Sequence, residues 1–244
     1  MMGKKIKLLG ISGSPRKGNS YYLLNEALKD KEDIGFGIDT TIYSLAGKKI
    51  QPCIGCNKCA ENGGQCILKD DFEELRQLWI NSDVIIYSFP VYHLSIPGQL
   101  KCFIDRLGNA FYGYYEVSSM RHMKVIGALC QGIHFFGGQE LSTNFILQHS
   151  VLLNSIPIAG DGWHSYIGAE GWTHNNTDRN AMEQLCTSGD MNANITLTAA
   201  KSVVRRAVEM ASIIKSGVST HEEKLKKDIR YIPYIERMGV DDTK

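Results

Sequence analysis

No stretch of this chain approaches the ~20 consecutive apolar residues that a membrane-spanning helix needs, which argues against a membrane protein. There is no basic block either. Lys and Arg number 27 against 26 Asp and Glu, a formal net charge of +1, and that balance argues against a nucleic-acid partner. An acidic tail and an internal repeat are also missing. The start, MMGKKIKLLGISG, puts two lysines before a short apolar run, but the run breaks off at once in Gly-Ser-Gly-Ser. It therefore reads as a first strand and not as a signal peptide. A cytoplasmic location is the expectation, and in that compartment clustered cysteines serve as metal ligands or catalytic groups more often than as structural disulfides.

What is present is an alternation of strand and helix patterns. Residues 5–10 (KIKLLG) form a short apolar run of strand length, and 19–29 (NSYYLLNEALK) follow a helical pattern with Asn19 or Ser20 placed to cap it. Residues 38–45 are rich in β-branched side chains. Asp70 and Asp71 open a helix to about Trp79, their charges suiting its positive end. The nearly continuous apolar run 84–89 (VIIYSF) has the character of a buried parallel strand. Helix 99–107, strand 124–130 and helix 140–153 follow. Residues 155–158, with 166–167, supply a fifth strand before a long helix at 192–214.

This order predicts an α/β fold, a doubly wound five-stranded parallel sheet of flavodoxin-like order 2-1-3-4-5 with a C-terminal extension. Such sheets bind ligands beyond the carboxyl ends of the strands, at the switch point between strands one and three. Residues 1–217 are expected to form the domain, carrying an inserted cysteine loop at 51–67. The charged stretch 218–244 reads as a surface tail that wraps a partner subunit.

The loop after strand one, Gly13 to Ser20 (GSPRKGNS), leads from a strand into a helix N-terminus, where free N–H groups and the helix dipole favour an anion. Ser12, Ser14, Asn19 and Ser20 add short donors, and Arg16 adds a guanidinium fork. The spacing nearly matches G-x4-G-K-[ST], but Asn19 stands where the lysine for the outer phosphates belongs. G-x-G-x-x-G is absent. A cradle for one monophosphate remains, beside the plainer reading of a Gly/Ser turn before a helix. After strand three, Pro90, Val91, Tyr92 and His93 form a stiff loop in which Tyr92 offers a flat ligand an apolar wall. After strand four, residues 130–138 (CQGIHFFGG) bring small residues and backbone amides to the same edge.

Four of the seven cysteines fall within fourteen positions, CIGCNKCAENGGQC, in the spacing C-x2-C-x2-C-x6-C. Zinc, an iron–sulfur cluster, a disulfide switch or free thiols are all open from the spacing. Cys102 and Cys130 read as core residues and Cys186 as a residue without a role. His93 and His134 are candidate proton donors, and Phe111, Tyr112, Tyr114 and Tyr115 are candidates to roof a ligand, to line a dimer interface or simply to pack.

Taken in order, GISGSPRKGNS, CIGCNKC with its later cysteine and LKDDF, SDVIIYSFPVY, IPGQLKCFIDR and GGQE resemble the NADPH-dependent FMN reductase-like flavoproteins over about residues 5–150. The compact cysteine motif resembles their iron–sulfur flavoprotein branch. The resemblance implies FMN, with its phosphate on Ser12, Ser14, Pro15, Arg16, Gly18, Asn19 and Ser20. It also implies a ring against Pro90, Val91, Tyr92 and His93, with Gln131, Gly132, Gly137 and Gly138 beside it. Tyr92 and His93 are then the candidate catalytic residues. Lys101, Asp105 and Arg106 match family positions of structural character. The three closely spaced cysteines favour a [4Fe–4S] cluster on Cys53, Cys56, Cys59 and Cys66, Cys66 folding back across Gly63-Gly64. Structural zinc remains the alternative.

The expected function is electron transfer from NAD(P)H or ferredoxin to a small acceptor such as a quinone or an oxygen species, by a homodimer or homotetramer. A pure electron carrier is the second reading. The longer segments 111–124 and 163–190 depart from the shortest members of the family.

Overall fold

A computed structural model describes residues 5–29, 31, 36–115 and 120–239. In chain order the elements are β1 (Ile6–Ser12), α1 (Asn19–Leu28), β2 (Ile38–Ser44), α2 (Lys58–Glu61), α3 (Phe72–Asn81), β3 (Val84–Pro90) and α4 (Gly98–Tyr115). There follow β4 (Val125–Gly132), α5 (Gln139–Leu152), β5 (Ile156–Pro157), β6 (Ala169–Trp172), α6 (Ala181–Thr187), α7 (Met191–Leu225) and α8 (Ile232–Gly239). The sheet is parallel throughout, in the expected order β2-β1-β3-β4-β5, with β6 also pairing to β4.

Strands β3 and β4 are buried at every position, as central strands covered on both faces must be. Leu9, Ile11, Ile85, Tyr87, Phe89, Ile126 and Ala128 point to one face and pack under α3, α4 and α5. Leu8, Val84, Ile86, Val125 and Leu129 point to the other and meet α1 and α7. The period of two along the strands thus assigns each helix to its layer.

Several expectations need correction. The fifth strand is split: β5 holds only two residues against Val125 and Ile126, and the outer half is β6, against Leu129 to Gly132, not residues 166–167. The helix expected at 99–107 continues to Tyr115 because Phe103, Leu107 and Phe111 extend its buried stripe by steps of four. Phe111 is buried against Trp79 and His122, so it belongs to the core and not to a ligand site. The domain boundary expected at 217 falls inside α7, whose backbone departs from helical angles at His221. Beyond it the tail turns back on its own chain. Tyr234 is buried, and Arg237 Nε donates to Asp83 Oδ1 at 3.1 Å. Residues 116–119 and 240–244, which belong to the expected insertion and tail, lie outside the described residues. Among the described residues no helix is long and apolar enough to cross a membrane.

Beneath the sheet, Lys124 is fully buried and donates to Ile80 O at 2.7 Å and Ser82 O at 2.6 Å. Burial holds its pKa well below that of a free lysine, helped by Arg237. Burial also lowers His122 to about 3 and His149 to about 4, so both fold as neutral rings. A histidine whose folded pKa lies below its unfolded value of 6.5 leaves stability intact above that value and removes it as pH falls. Between pH 6.5 and 5.5 the two together are expected to lower unfolding free energy by about 2 kcal/mol, as urea titrations at the two pH values would show.

Candidate functional site

At the carboxyl end of the sheet one pocket is lined by Ser14, Arg16, Asn19, Ser20, Pro90, Val91, Tyr92, Gln131 and Gly132, joined by Ile133, Asn176 and Thr177. An open groove continues from it past Val91, Tyr92, His93, Leu94, Gly132, Ile133, His134, Phe136 and Gly137. Residues from three separate loops, expected at one edge from the strand order, are therefore adjacent. Ser12 lies buried at the end of β1, whereas Pro15, Gly18 and Gly138 line neither cavity.

The start of α1 departs from the expected cap. The N-cap is Gly18, and no side chain caps the first turn. Asn19 is committed elsewhere: its Nδ2 donates to Asp178 O at 3.1 Å and its Oδ1 accepts from Met182 N at 2.9 Å. The Oγ atoms of Ser12 and Ser20 and Oε1 of Gln131 are buried with no hydrogen-bond partner among the described residues. Buried polar atoms rarely stay unpaired. A monophosphate at the first turn of α1, within reach of Ser20 and the Arg16 guanidinium, answers that need, so these residues fit the phosphate end of FMN. Gly13 keeps the turn close to the core, since a Cβ there would meet Leu100 Cδ2 at 2.6 Å.

The loop after β3 folds back as a tight turn in which Tyr92 N donates to Ser95 O at 2.8 Å and Ser95 N to Tyr92 O at 3.1 Å. Its two central residues, His93 and Leu94, hold φ of 46° and 65°, the left-handed region that non-glycine residues seldom occupy. This strained turn sets His93 and Leu94 on the wall of the groove that His134 and Phe136 also line. The His134 ring is held by a 2.7 Å contact between Nδ1 and Asn175 Oδ1. Gly138 has a different role from the one expected. Its φ is +101°, and a Cβ would stand 2.6 Å from Leu94 Cα, so glycine lets α5 begin against the turn. Gly138→Ala is expected to cost roughly 1–3 kcal/mol in urea unfolding.

The cysteine loop leaves the same edge but does not remain there. Gln99 Nε2 donates to Lys48 O near the start of α4, and Asp71 Oδ2 accepts from Lys49 N at 2.7 Å. Asp70 Oδ2 accepts from Gln51 N at 2.8 Å, and its Oδ1 accepts from Phe72 N at 3.1 Å. The two acids therefore pin the loop as much as they start α3. The chain then descends α4: Asn109 Nδ2 donates to Cys53 Sγ at 3.3 Å and Cys59 Sγ to Asn109 O at 3.6 Å. Asn109 is eleven residues beyond Gly98, so the thiols contact α4 about 16 Å along its axis from its start at 1.5 Å per residue.

Cys53, Cys56, Cys59 and Cys66 line one cavity with Arg106 and Asn109, and all are free thiols. Among the described residues no group of three or more His, Cys, Asp or Glu side chains stands ready to hold a metal ion. The donor chemistry nonetheless fits an electron-rich cluster. Two of the four sulfurs face side-chain or loop N–H donors, since Gly55 N reaches Cys53 Sγ at 3.5 Å and the Arg106 guanidinium interacts with Cys66. Burial pushes the Cys59 thiol up, with Cys66 and Cys53 adding to the shift against the backbone donors of Cys59 and Ala60.

Of the remaining candidates, Lys101 and Asp105 form the expected pair at 2.5 Å on α4, while Arg106 turns inward to Asp70. Cys130 is buried in β4, and Cys102 packs partly buried against the same core. Cys186 Sγ donates to Ala193 O at 3.7 Å. Tyr112 and Tyr114 are exposed along α4, away from the groove. Asn176 and Thr177 were missed by sequence reasoning. The only local signal for them was the turn-forming run Asn175-Asn176-Thr177-Asp178.

Fold and pocket together define a doubly wound α/β protein with a polar pocket at its switch point. A family model described as NADPH-dependent FMN reductase matches residues 6–164. An iron-sulfur flavoprotein of Archaeoglobus fulgidus is 36% identical over 169 residues, covering 68% of this chain and 82% of that protein. One from Methanosarcina thermophila is 31% identical over 180 residues, covering 73% and 88% respectively. Among solved structures, RosB with bound 8-demethyl-8-formylriboflavin 5′-phosphate aligns with a TM-score of 0.61 at 15% identity, over 98% of this chain and 89% of that one. This chain belongs to the NADPH-dependent FMN reductase family, in its iron–sulfur flavoprotein branch, and is an FMN-dependent oxidoreductase.

Proposed function

We propose that the protein carries electrons from NAD(P)H or a ferredoxin, by way of FMN and a [4Fe–4S] cluster on Cys53, Cys56, Cys59 and Cys66, to a small acceptor such as a quinone or an oxygen species. The observation that carries the reading is the pair of sites. An edge pocket holds unpartnered Ser20 and Gln131, and a separate cavity is lined by four free thiols. When bound, FMN supplies paired-electron chemistry and the cluster single-electron transfer.

The residues divide the work. Ser14, Arg16 and Ser20 hold the phosphate, and the rigid Pro90–Val91 segment with Tyr92 forms the wall against which the ring lies. His93 and His134 both line the groove and serve as proton donors to a reduced acceptor. The contact from Asn175 fixes the His134 ring and leaves Nε2 for exchange. Tyr92, exposed at the rim, shields the groove from water on one side.

Steady-state assays on purified protein with NADH, NADPH and reduced ferredoxin, each against a quinone and oxygen, test the reading. Turnover with at least one donor and acceptor, together with flavin absorption, is expected. A colourless protein inactive with every pair would overturn it. A homodimer or homotetramer belongs to the same proposal, supported by exposed apolar side chains such as Leu141 and Leu152 on α5 and Ile229 in the tail. Light scattering that gives a clean monomer would contradict that part.

A further inference from the structure

The turn at residues 173–179 lies beyond residue 164, the last residue that the family model matches. It nevertheless reaches the pocket. Thr173 N donates to Gly132 O at 3.0 Å and Asn175 N to Ile133 O at 2.9 Å, which carries the chain past the end of β6 and across the edge of the phosphate end. The turn is braced from within. Asn176 Oδ1 accepts from Asp178 N at 2.9 Å, Thr173 Oγ1 donates to Asn176 O at 2.6 Å, and His174 and Asn175 take left-handed φ of 52° and 63°. It is also stitched to the start of α1. Asn19, 8% exposed, donates to Asp178 O and accepts from Met182 N, and a Cβ on Gly18 would lie 3.0 Å from Arg179 O.

We propose that this turn is a phosphate clamp: Thr177 and Asn176 bind the phosphate end of the flavin, Asn19 positions them, and the chain thereby selects FMN over riboflavin. The proposal rests on the FMN reading of the pocket. Asn176 and Thr177 line the same cavity as Ser14, Arg16 and Ser20. Among the described residues neither the Asn176 amide Nδ2 nor the Thr177 hydroxyl has a hydrogen-bond partner, and both side chains are exposed, so both are donors available to a phosphate oxygen. Asn19 acts through the turn and not as a ligand, because both ends of its side chain are already engaged.

The test is binding of FMN and of riboflavin to the full chain, followed by quenching of flavin fluorescence, for the wild type, Thr177→Val and Asn19→Ala. Thr177 is exposed, so its variant keeps the fold, which the thermal midpoint checks. Loss of one hydrogen bond to a charged group is expected to weaken FMN about tenfold in Thr177→Val with riboflavin unchanged, and Asn19→Ala is expected to shift the same ratio in the same direction. Unchanged FMN affinity in Thr177→Val overturns the clamp, as does an equal loss for both flavins. A wild type that binds neither flavin overturns the pocket assignment itself, which is a separate result.

Discussion

Cys59→Ser is expected to give a folded protein that keeps FMN and loses its iron. Cys59 lies in the short α2, in a loop braced on Asn109 of α4, and shares its cavity with Cys53, Cys56 and Cys66. Burial holds its thiol protonated beyond the ordinary pH range of cysteine, so ligation must drive the proton off. A serine hydroxyl is far harder to ionise and is a poor partner for iron, and three remaining ligands leave one corner of the cluster open. Iron and acid-labile sulfide are therefore expected to fall from about four per chain to near zero. Flavin content is expected to stay level, because the cavity of the thiols and the edge pocket share no lining residue. Parallel loss of flavin and iron would show that the two sites are not independent.

Arg106→Met, on α4, is expected to destabilise strongly the loop that carries those cysteines. Arg106 is 2% exposed and donates to Asp70 Oδ2 at 2.6 Å, to Gln51 O at 3.3 Å and to Leu68 O at 3.3 Å. Its guanidinium also lies 4.1 Å from the centre of the Phe72 ring. Removing it strands a buried carboxylate, and breaking a buried pair in this way costs about 3–5 kcal/mol. The Asp70 carboxyl is raised by burial, but Arg106 and the N–H groups of Gln51 and Phe72 more than reverse this and hold it below the usual carboxylate value.

A depressed carboxylate contributes stability that is present above the unfolded pKa of about 4 and is lost as pH falls through the lower folded value. The difference between wild type and variant in urea unfolding should thus be full at pH 7 and shrink below pH 4. The double variant Arg106→Met with Asp70→Asn should recover a large part of the loss. A single variant as stable as wild type at pH 7 would show that the pair does not anchor the loop.

The strand order and the convergence of three loops were legible because buried parallel strands announce themselves as apolar runs, and their order fixes which loops are neighbours. VIIYSF is such a run, and β3 is buried at every residue. The parts that were not legible depend on single long-range hydrogen bonds. Asn19 looks like a helix cap or a phosphate ligand from its neighbours, yet its side chain is spent on Asp178 and Met182, some 160 residues away. The cysteine loop follows α4 instead of the flavin edge because Arg106, Asp70 and Asn109 hold it there, and none of those contacts leaves a periodic trace. β6 reads AEGW, with no β-branched residue, and pairs only because β4 offers it a free edge. Asn176 and Thr177 lie in a polar turn whose place is set by β6 and Asn19, so spacing alone could not bring them to the pocket.

The central claim is that one chain holds two redox centres, FMN at the sheet edge and an iron–sulfur cluster on four cysteines. Its most direct test is the content of FMN, iron, acid-labile sulfide and zinc in protein purified without oxygen. About one FMN with about four irons and four sulfides per chain, and no zinc, is the predicted result. Zinc in place of iron, or cysteines that carry no metal beside a bound flavin, would contradict it.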